Sequence, residues 1–233
     1  MDRRTFLGSV ALGAAVSALG PYQPSEASRL GRVIFSLPKI DTPRFAWTVD
    51  DGASEKTVAG YIRLLKENPN LKITFFVTSA YATWRRHESS LNDLLSTGQI
   101  QLANHTFSHK DLTSVSNQKI RQELLACKRF LEDHFGTTGE PFYRPPYGSY
   151  NSNVREVAAD LGYTNTVMWY GTLADAGQNT QRGLLRNARR WMNDRAILIS
   201  HANHPQIIDD FERMLALIEA RHLKTVTLTE VFG

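Results

Sequence analysis

The chain is poor in cysteine, in long apolar runs and in concentrated charge, and each shortage removes a class of protein. Cys127 is the only cysteine in 233 residues, so no intramolecular disulfide can form. It falls in an apolar helical pattern and reads as core packing. The apolar stretch near the start, Phe6 to Leu19, is shorter than the about 20 residues that a membrane-spanning helix needs. Lysine and arginine number 27 against 23 acidic residues, a formal net charge of +4. No dense basic cluster with interleaved aromatics stands out, so the charge suits solubility or attraction to an acidic surface rather than nucleic-acid binding. There is no internal repeat. What remains is ordinary globular composition, 42% hydrophobic and 21% charged, on a length that fits one α/β barrel or two small domains.

The first residues read MDRRTFLGSVALGAAVSALG. Arg3 and Arg4 precede Phe6, Leu7 and a short run of small apolar residues, the layout of a secretory signal with a twin-arginine address. Small residues allow cleavage after Gly20 or Ala27, and no cysteine sits there to take a lipid. An uncleaved interfacial anchor is the alternative. We expect a signal peptide over residues 1–27, a linker and lead-in over 28–40, and one folded domain over 41–233. The mature chain is then periplasmic, cell-wall-bound or extracellular, with no stable membrane span.

Beyond the linker, short apolar runs alternate with amphipathic ones about seven times. RFAWTV, KITFFV, QIQLA, TNTVMW and AILIS read as strands, with RVIFSL, PFY and KTVTL as weaker ones. EKTVAGYIRLLKE, SNQKIRQELLACKRFLEDHFG, NSNVREVAADLG, LLRNARRWMND and QIIDDFERMLALIEARH carry the helical period. In the second of these Ile120, Leu124, Cys127, Phe130 and Leu131 share a face, and Gly136 stops the helix; Gly98 is a C-terminal cap for the region before QIQLA. Buried strands between longer helices imply a parallel sheet. The chain is short for a full eightfold barrel, so we expect a distorted or incomplete (β/α) barrel with about seven parallel strands.

In such barrels the chemistry gathers where the strands end. After RFAWTV come Asp50, Asp51 and Gly52; after QIQLAN come His105 and His109. After PFY come Arg144, Pro145, Pro146, Tyr147 and Gly148; after TNTVMWYG comes Asp175; after AILIS comes His201. Each has a plain alternative. The DDG stretch suits a turn, Arg144 an ion pair, PPYG a stiff loop, Asp175 a solvated loop and His201 a hydrogen-bonded core position. Together, at one end of one barrel, they argue for a site. The two histidines test this most sharply. On a continuous strand they would stand about 13 Å apart, too far for one ion; on a helical turn their β-carbons approach to about 5–6 Å. A metal claw therefore requires the chain to leave strand geometry at Asn104 and coil at once.

TVDDG (48–52), HTFSH (105–109), RPPYG (144–148) and ILISH (197–201) resemble, in this order, the motifs of polysaccharide deacetylases of the NodB-homology type, carbohydrate esterase family four. The resemblance runs from about residue 41 to the C-terminus. It implies that Asp51, His105 and His109 bind one divalent metal, usually zinc, with cobalt or another divalent ion as substitutes. Two imidazoles and one carboxylate with open positions suit a catalytic rather than a structural site. It further implies Asp50 as general base, Arg144 as its holder, the Tyr147 backbone N–H beside Pro145 as oxyanion donor, His201 as general acid and Asp175 as the partner of His201. The fourth family motif, Asp-x-x-Asp-Trp, is altered: Thr172 and Ala176 replace its first aspartate and its tryptophan, and Val49 replaces a phenylalanine. Trp169 reads as core rather than as a sugar platform. The implied activity is removal of N-acetyl groups from an amino-sugar polymer, peptidoglycan or chitin-like, by a monomer with no nucleic-acid partner. The rivals are an O-acetyl esterase acting on xylan, a carbohydrate-binding protein that has lost catalysis, and a non-haem iron oxygenase, for which two histidines and a carboxylate also serve.

Overall fold

The structure is a computed structural model, and it describes residues 30–177 and 179–233. The expected signal peptide lies outside the described residues. Among them, no helix is long and apolar enough to cross a membrane.

Among the described residues nine strands form one sheet: β1 (Arg32–Ile34), β2 (Arg44–Asp51), β3 (Ile73–Val77), β4 (Ile100–Asn104), β5 (Phe142–Tyr143), β6 (Asn165–Val167), β7 (Gly171–Thr172), β8 (Ile197–His201) and β9 (Lys224–Thr225). Their spatial order is β1-β6-β5-β4-β3-β2-β8-β7, with β9 beside the start of β2. Every ladder is parallel. This is the incomplete parallel barrel that the alternation implied. The chain runs from the end of β6, beside β1, directly into β7, which pairs with β8, and so links the two ends of the sheet. Met168 N–H donates to the Ile34 carbonyl, Tyr170 N–H to that of Ile197 and Leu173 N–H to that of Ile199.

The helices are α1 (Glu55–Glu67), α2 (Thr83–Arg86), α3 (Glu88–Ser96), α4 (Asn117–Phe135), α5 (Ser152–Ala159), α6 (Gln181–Trp191), α7 (Phe211–Ala220) and α8 (Thr229–Phe232). Side-chain caps start several of them: Ser54 for α1, Ser116 for α4, Asn151 for α5 and Thr180 for α6. Gly98 and Gly136 both take the left-handed conformation just past α3 and α4, as read. Two details differ from the sequence reading. The stretch Pro205–Asp210 is a 3₁₀ turn and only Phe211 begins the α-helix; proline at its first turn is compatible with either form. Phe130 is only half-buried, whereas Glu123 joins the buried stripe of α4.

Period-two alternation divides the core. Phe45, Trp47 and Val49 of β2 face the helices with Phe75 and Val77 of β3, where Tyr61, Trp84 and Phe211 pack edge-on against them. Ala46 and Phe76 face the barrel interior with Ile34, Phe142, Val167 and Ile197. Register then aligns the strand ends. Asp50 lies beside Phe76 and His201, Asp51 beside Val77, Val77 beside Asn104 and Asn104 beside Tyr143. One row across five strands therefore carries, or immediately precedes, nearly every candidate side chain.

Candidate active site

Parity on β2 sends Thr48 and Asp50 inward with Ala46, and would send Asp51 outward. The backbone breaks that parity: Asp51 has φ 78°, in the left-handed region, and Gly52 follows at 101°. A Cβ on Gly52 would lie 2.4 Å from the Trp84 indole, so only glycine fits. The Trp84 indole N–H donates to the Asp51 carbonyl at 3.0 Å, locking the turn. Three of the positive-φ residues that are not glycine, Asp51, His109 and Tyr147, line one cleft, and a fourth, Thr106, lies buried in the histidine loop beside it. Such conformations cost energy and gather where geometry serves a function.

The histidine claw forms as the spacing demanded. Strand β4 ends at Asn104, whose side-chain oxygen accepts the Thr106 N–H at 2.8 Å. The Thr106 hydroxyl then accepts the His109 N–H at 3.1 Å. These two turns, with φ 70° at Thr106 and 57° at His109, curl the chain without an α-helix. The imidazole centroids end 5.0 Å apart. Asp51 Oδ1 stands 3.4 Å from His105 Nε2 and 3.2 Å from His109 Nε2. Metal bonds of about 2.0–2.1 Å in tetrahedral array would place ligand atoms about 3.3 Å apart, so the trio fits a divalent ion. Among the described residues this is the one such cluster. His105 Nδ1 lies 2.7 Å from the Arg144 carbonyl, a contact that requires its N–H there and leaves the Nε2 lone pair free. Burial pulls the His109 imidazole below its usual pKa, with the neighbouring His105 adding to the effect; the neutral ring is the ligating form. Burial pushes the Asp51 carboxyl upward, but His105, His109 and a hydrogen bond from Asn203 outweigh it and hold it low.

Asp50 is held from the opposite side. Arg144, fully buried, donates Nη1 to Asp50 Oδ1 at 2.6 Å and to the Thr48 hydroxyl at 2.9 Å. Its Nε and Nη2 reach the carbonyls of Val167 and Met168, and its guanidinium lies 4.1 Å over the Phe76 ring. Burial lowers the guanidinium pKa and Asp50 opposes the fall. Asp50 Oδ2 remains at 3.6 Å from His105 Nε2, facing the metal trio.

His201 completes the floor. Asp175 Oδ1 lies 2.9 Å from its Nδ1 and Asp175 Oδ2 accepts its backbone N–H at 3.0 Å. Burial alone would lower the imidazole pKa; the Asp175 hydrogen bond and then the Asp50 charge raise it above the usual value. So the altered fourth motif still brings Asp175 to His201. Thr172 and Ala176 line the cleft. Pro145, Tyr147, Gly148 and Trp169 form the other side of this hollow of about 410 Å³. Tyr147 is 71% exposed and its ring meets His109 edge-on at 4.6 Å. Trp169 packs against the barrel-interior core and, half-buried beside Gly148, also lines the cleft. Cys127 is the inert core thiol expected, its pKa pushed up to about 12 by burial.

Three functional positions were not singled out from sequence. Asn203 donates to Asp51 Oδ2 at 2.6 Å and accepts the Ala53 N–H at 3.3 Å, leaving Asp51 Oδ1 as the ligating oxygen. Thr48 stands between Arg144 and the Leu198 carbonyl. Buried Glu123 accepts from Ser108 N–H and hydroxyl, both at 2.8 Å, and from Lys119, pinning the histidine loop.

Comparison with known proteins places the geometry in context. A sequence profile described as "Polysaccharide deacetylase" matches residues 39–166. An uncharacterised protein of Streptomyces coelicolor is 29% identical over 220 residues, 92% of this chain and 83% of that one. A peptidoglycan-N-acetylglucosamine deacetylase of Listeria monocytogenes is 27% identical over 201 residues, covering 84% of this chain but only 41% of its own length. Among solved structures, the chitin deacetylase of the fungus Colletotrichum lindemuthianum superposes with a TM-score of 0.75 over 87% of this chain and 92% of that one, at 20% identity, a likeness of fold.

Proposed function

The chain belongs to the polysaccharide deacetylase family, and from that premise we propose that it is an exported, metal-dependent hydrolase that removes N-acetyl groups from an amino-sugar polymer such as peptidoglycan or a chitin-like oligosaccharide. The observation that carries the reading is the seating of a base and an acid on either side of one metal-ligand trio: Asp50 held by Arg144, and His201 held by Asp175.

Asp51, His105 and His109 would hold the ion, with zinc the best match to the donor set. A bound divalent ion polarises the acetyl carbonyl and makes water a better nucleophile at neutral pH. The chain's own groups do the rest. Asp50 Oδ2 accepts the proton of the attacking water while Arg144 keeps Oδ1 occupied. The Tyr147 N–H, on the rim, donates to the carbonyl oxygen as negative charge develops there. His201, its Nδ1 turned to Asp175, presents Nε2 to the departing nitrogen. Water adds to the carbonyl carbon, the C–N bond breaks, and the proton from His201 leaves with the amine; acetate and a free amino sugar result. A second carboxylate, Asp50, beside the ligating Asp51 and an imidazole paired with Asp175 favour hydrolysis over oxygenase chemistry. The paired groups favour catalysis over simple glycan binding.

The test is acetate release by purified protein from N-acetylated peptidoglycan, chitin oligomers and O-acetylated xylan, after chelator and after zinc or cobalt is returned. Chelation should abolish release from the N-acetyl substrates, and metal should restore it. In parallel, Asp50→Asn should keep its metal and lose turnover, whereas Asp51→Asn should lose the metal itself. Full activity without metal, or release from xylan alone, overturns the reading.

A further inference from the structure

Helix α6 carries a stripe of arginines that the catalytic reading does not use. Arg182, Arg186, Arg189 and Arg190 are all exposed on it, and the helix has no acidic residue. The spacing of 4, 7 and 8 residues from Arg182 puts them on one face, about 12 Å long. With a formal charge of +4 on the whole chain and four arginines here, the rest of the chain is formally neutral. The sequence reading found no dense basic cluster; the fold supplies one, because the intervening Gly183, Leu184 and Ala188 turn inward.

Ordinary helix electrostatics explain only half of the stripe. Arg189 and Arg190 lie in the last turn, where cations suit the helix dipole. Arg182 lies in the first turn, where it does not, and Arg186 lies mid-helix, where the dipole gives it no support. They also repel one another and Arg190 at i,i+4. Among the described residues, none of the four meets a carboxylate within salt-bridge distance. A surface held cationic against its own electrostatics suggests an anionic partner.

Three observations say which. The helix is tied to the cleft wall: Asn187 of α6 donates to the Leu173 carbonyl at 3.0 Å, and Asn179, just before the helix, to that of Ala174 at 2.9 Å, bracing the segment whose Thr172 and Ala176 line the site. At the far end, Arg190 stacks over Trp191, and Tyr170, 63% exposed, packs edge-on against the same indole. Exposed aromatics beside guanidinium groups suit sugar faces that bear carboxylates. Finally, the apolar face of α6 is buried against the sheet, so it is not free to enter a lipid surface as interfacial helices do.

Building on the deacetylase reading, we infer that α6 is an extended subsite for a carboxylate-bearing N-acetylated polysaccharide, whose strand runs from the cleft along the arginine stripe. Neither the ligand trio nor the acid–base pairs take part.

The experiment measures binding and turnover separately. Co-sedimentation of the full chain with insoluble acidic glycan strands, with neutral chitin and with anionic phosphatidylglycerol vesicles is compared at low and high salt for wild type, Arg182→Gln/Arg186→Gln and Arg182→Lys/Arg186→Lys. Affinity for the acidic glycan should fall roughly tenfold in the glutamine variant and with salt, and should be largely kept by lysine. Neutral chitin should show neither change. If the chain releases acetate, KM for acidic strands should rise with kcat unchanged. Equal losses on acidic and neutral glycans, an unchanged affinity in the glutamine variant, or salt-sensitive binding to vesicles alone overturns the subsite. Because binding is read without turnover, a chain that releases no acetate yet holds acidic glycan through α6 would refute the activity and not this inference.

Discussion

The two carboxylate pairs of the site are built very differently. Asp50 and Arg144 sit at the centre of a closed network: the guanidinium has two side-chain and two backbone acceptors, a ring on its face and no exposure. His201 ends β8 and lines the cleft, and its partner Asp175 lies buried behind it on the loop after β7. The first pair is architecture as well as chemistry, and its cost of disruption falls on folding. The second is a single contact that raises the pKa of one imidazole; under the proposed function its disruption should be felt in the reaction alone.

The largest break tests the first pair. In Arg144→Met, Asp50 is left buried with no counter-charge, and removing one partner of a buried pair costs about 3–5 kcal/mol. Chemical denaturation should show a loss of that order together with loss of turnover. Arg144→Lys should recover only part of either, since one ammonium cannot reach Asp50, Thr48, Val167 and Met168 at once. Wild-type stability in Arg144→Met would show that the network holds nothing up.

A smaller and more selective effect is expected at the second pair. His201→Ala should unfold at nearly the same denaturant concentration as wild type and keep its metal, yet lose roughly 10²–10⁴-fold in turnover on N-acetyl substrates, the usual worth of a general acid. An activated aryl acetate has a leaving group that needs little protonation, so its hydrolysis should fall far less. Equal losses on both substrates would take the acid role from His201.

This contrast between architecture and chemistry also separates what the sequence discloses from what it hides. Strand alternation and the residues after each strand were legible because burial and turn chemistry act locally. The claw was legible as a condition on Asn104, and the fold meets that condition with two side-chain turns rather than a helix. Thr48 and Asn203 were not legible. A threonine inside a β-branched strand looks like any other, and the partner that gives it meaning lies 96 residues away. Asn203 depends on a contact across 152 residues. Glu123 did leave a trace, as a carboxylate three residues from Ile120 on an otherwise apolar stripe. The α6 arginines left one too, in their helical spacing. Trp169 was only half legible, because a tryptophan at a strand end can serve core and cleft alike, and this one packs against the core while reaching the cleft beside Gly148.

The finest test distinguishes a paired histidine from one that merely has an acid nearby. Asp175 receives two donors from one residue: its Oδ2 takes the His201 backbone N–H at 3.0 Å and its Oδ1 faces Nδ1 at 2.9 Å. An asparagine offers one acceptor and one donor in the same place. The backbone N–H has no other tautomer, so it claims the amide oxygen and the amide NH₂ is turned toward Nδ1. An imidazole that carries a proton on Nδ1 then meets a donor instead of a carboxylate, and its protonated form loses the support that raises its pKa. The direction follows. As a general acid His201 must be protonated, so activity fails on the alkaline side as pH rises through its pKa. Lowering that pKa moves the alkaline limb of the pH–rate profile to lower pH in Asp175→Asn. The acid limb belongs to other groups and should stay, as should the metal content and the denaturation midpoint. An alkaline limb that does not move would return Asp175 to the status of a loop residue and leave His201 to act without a partner.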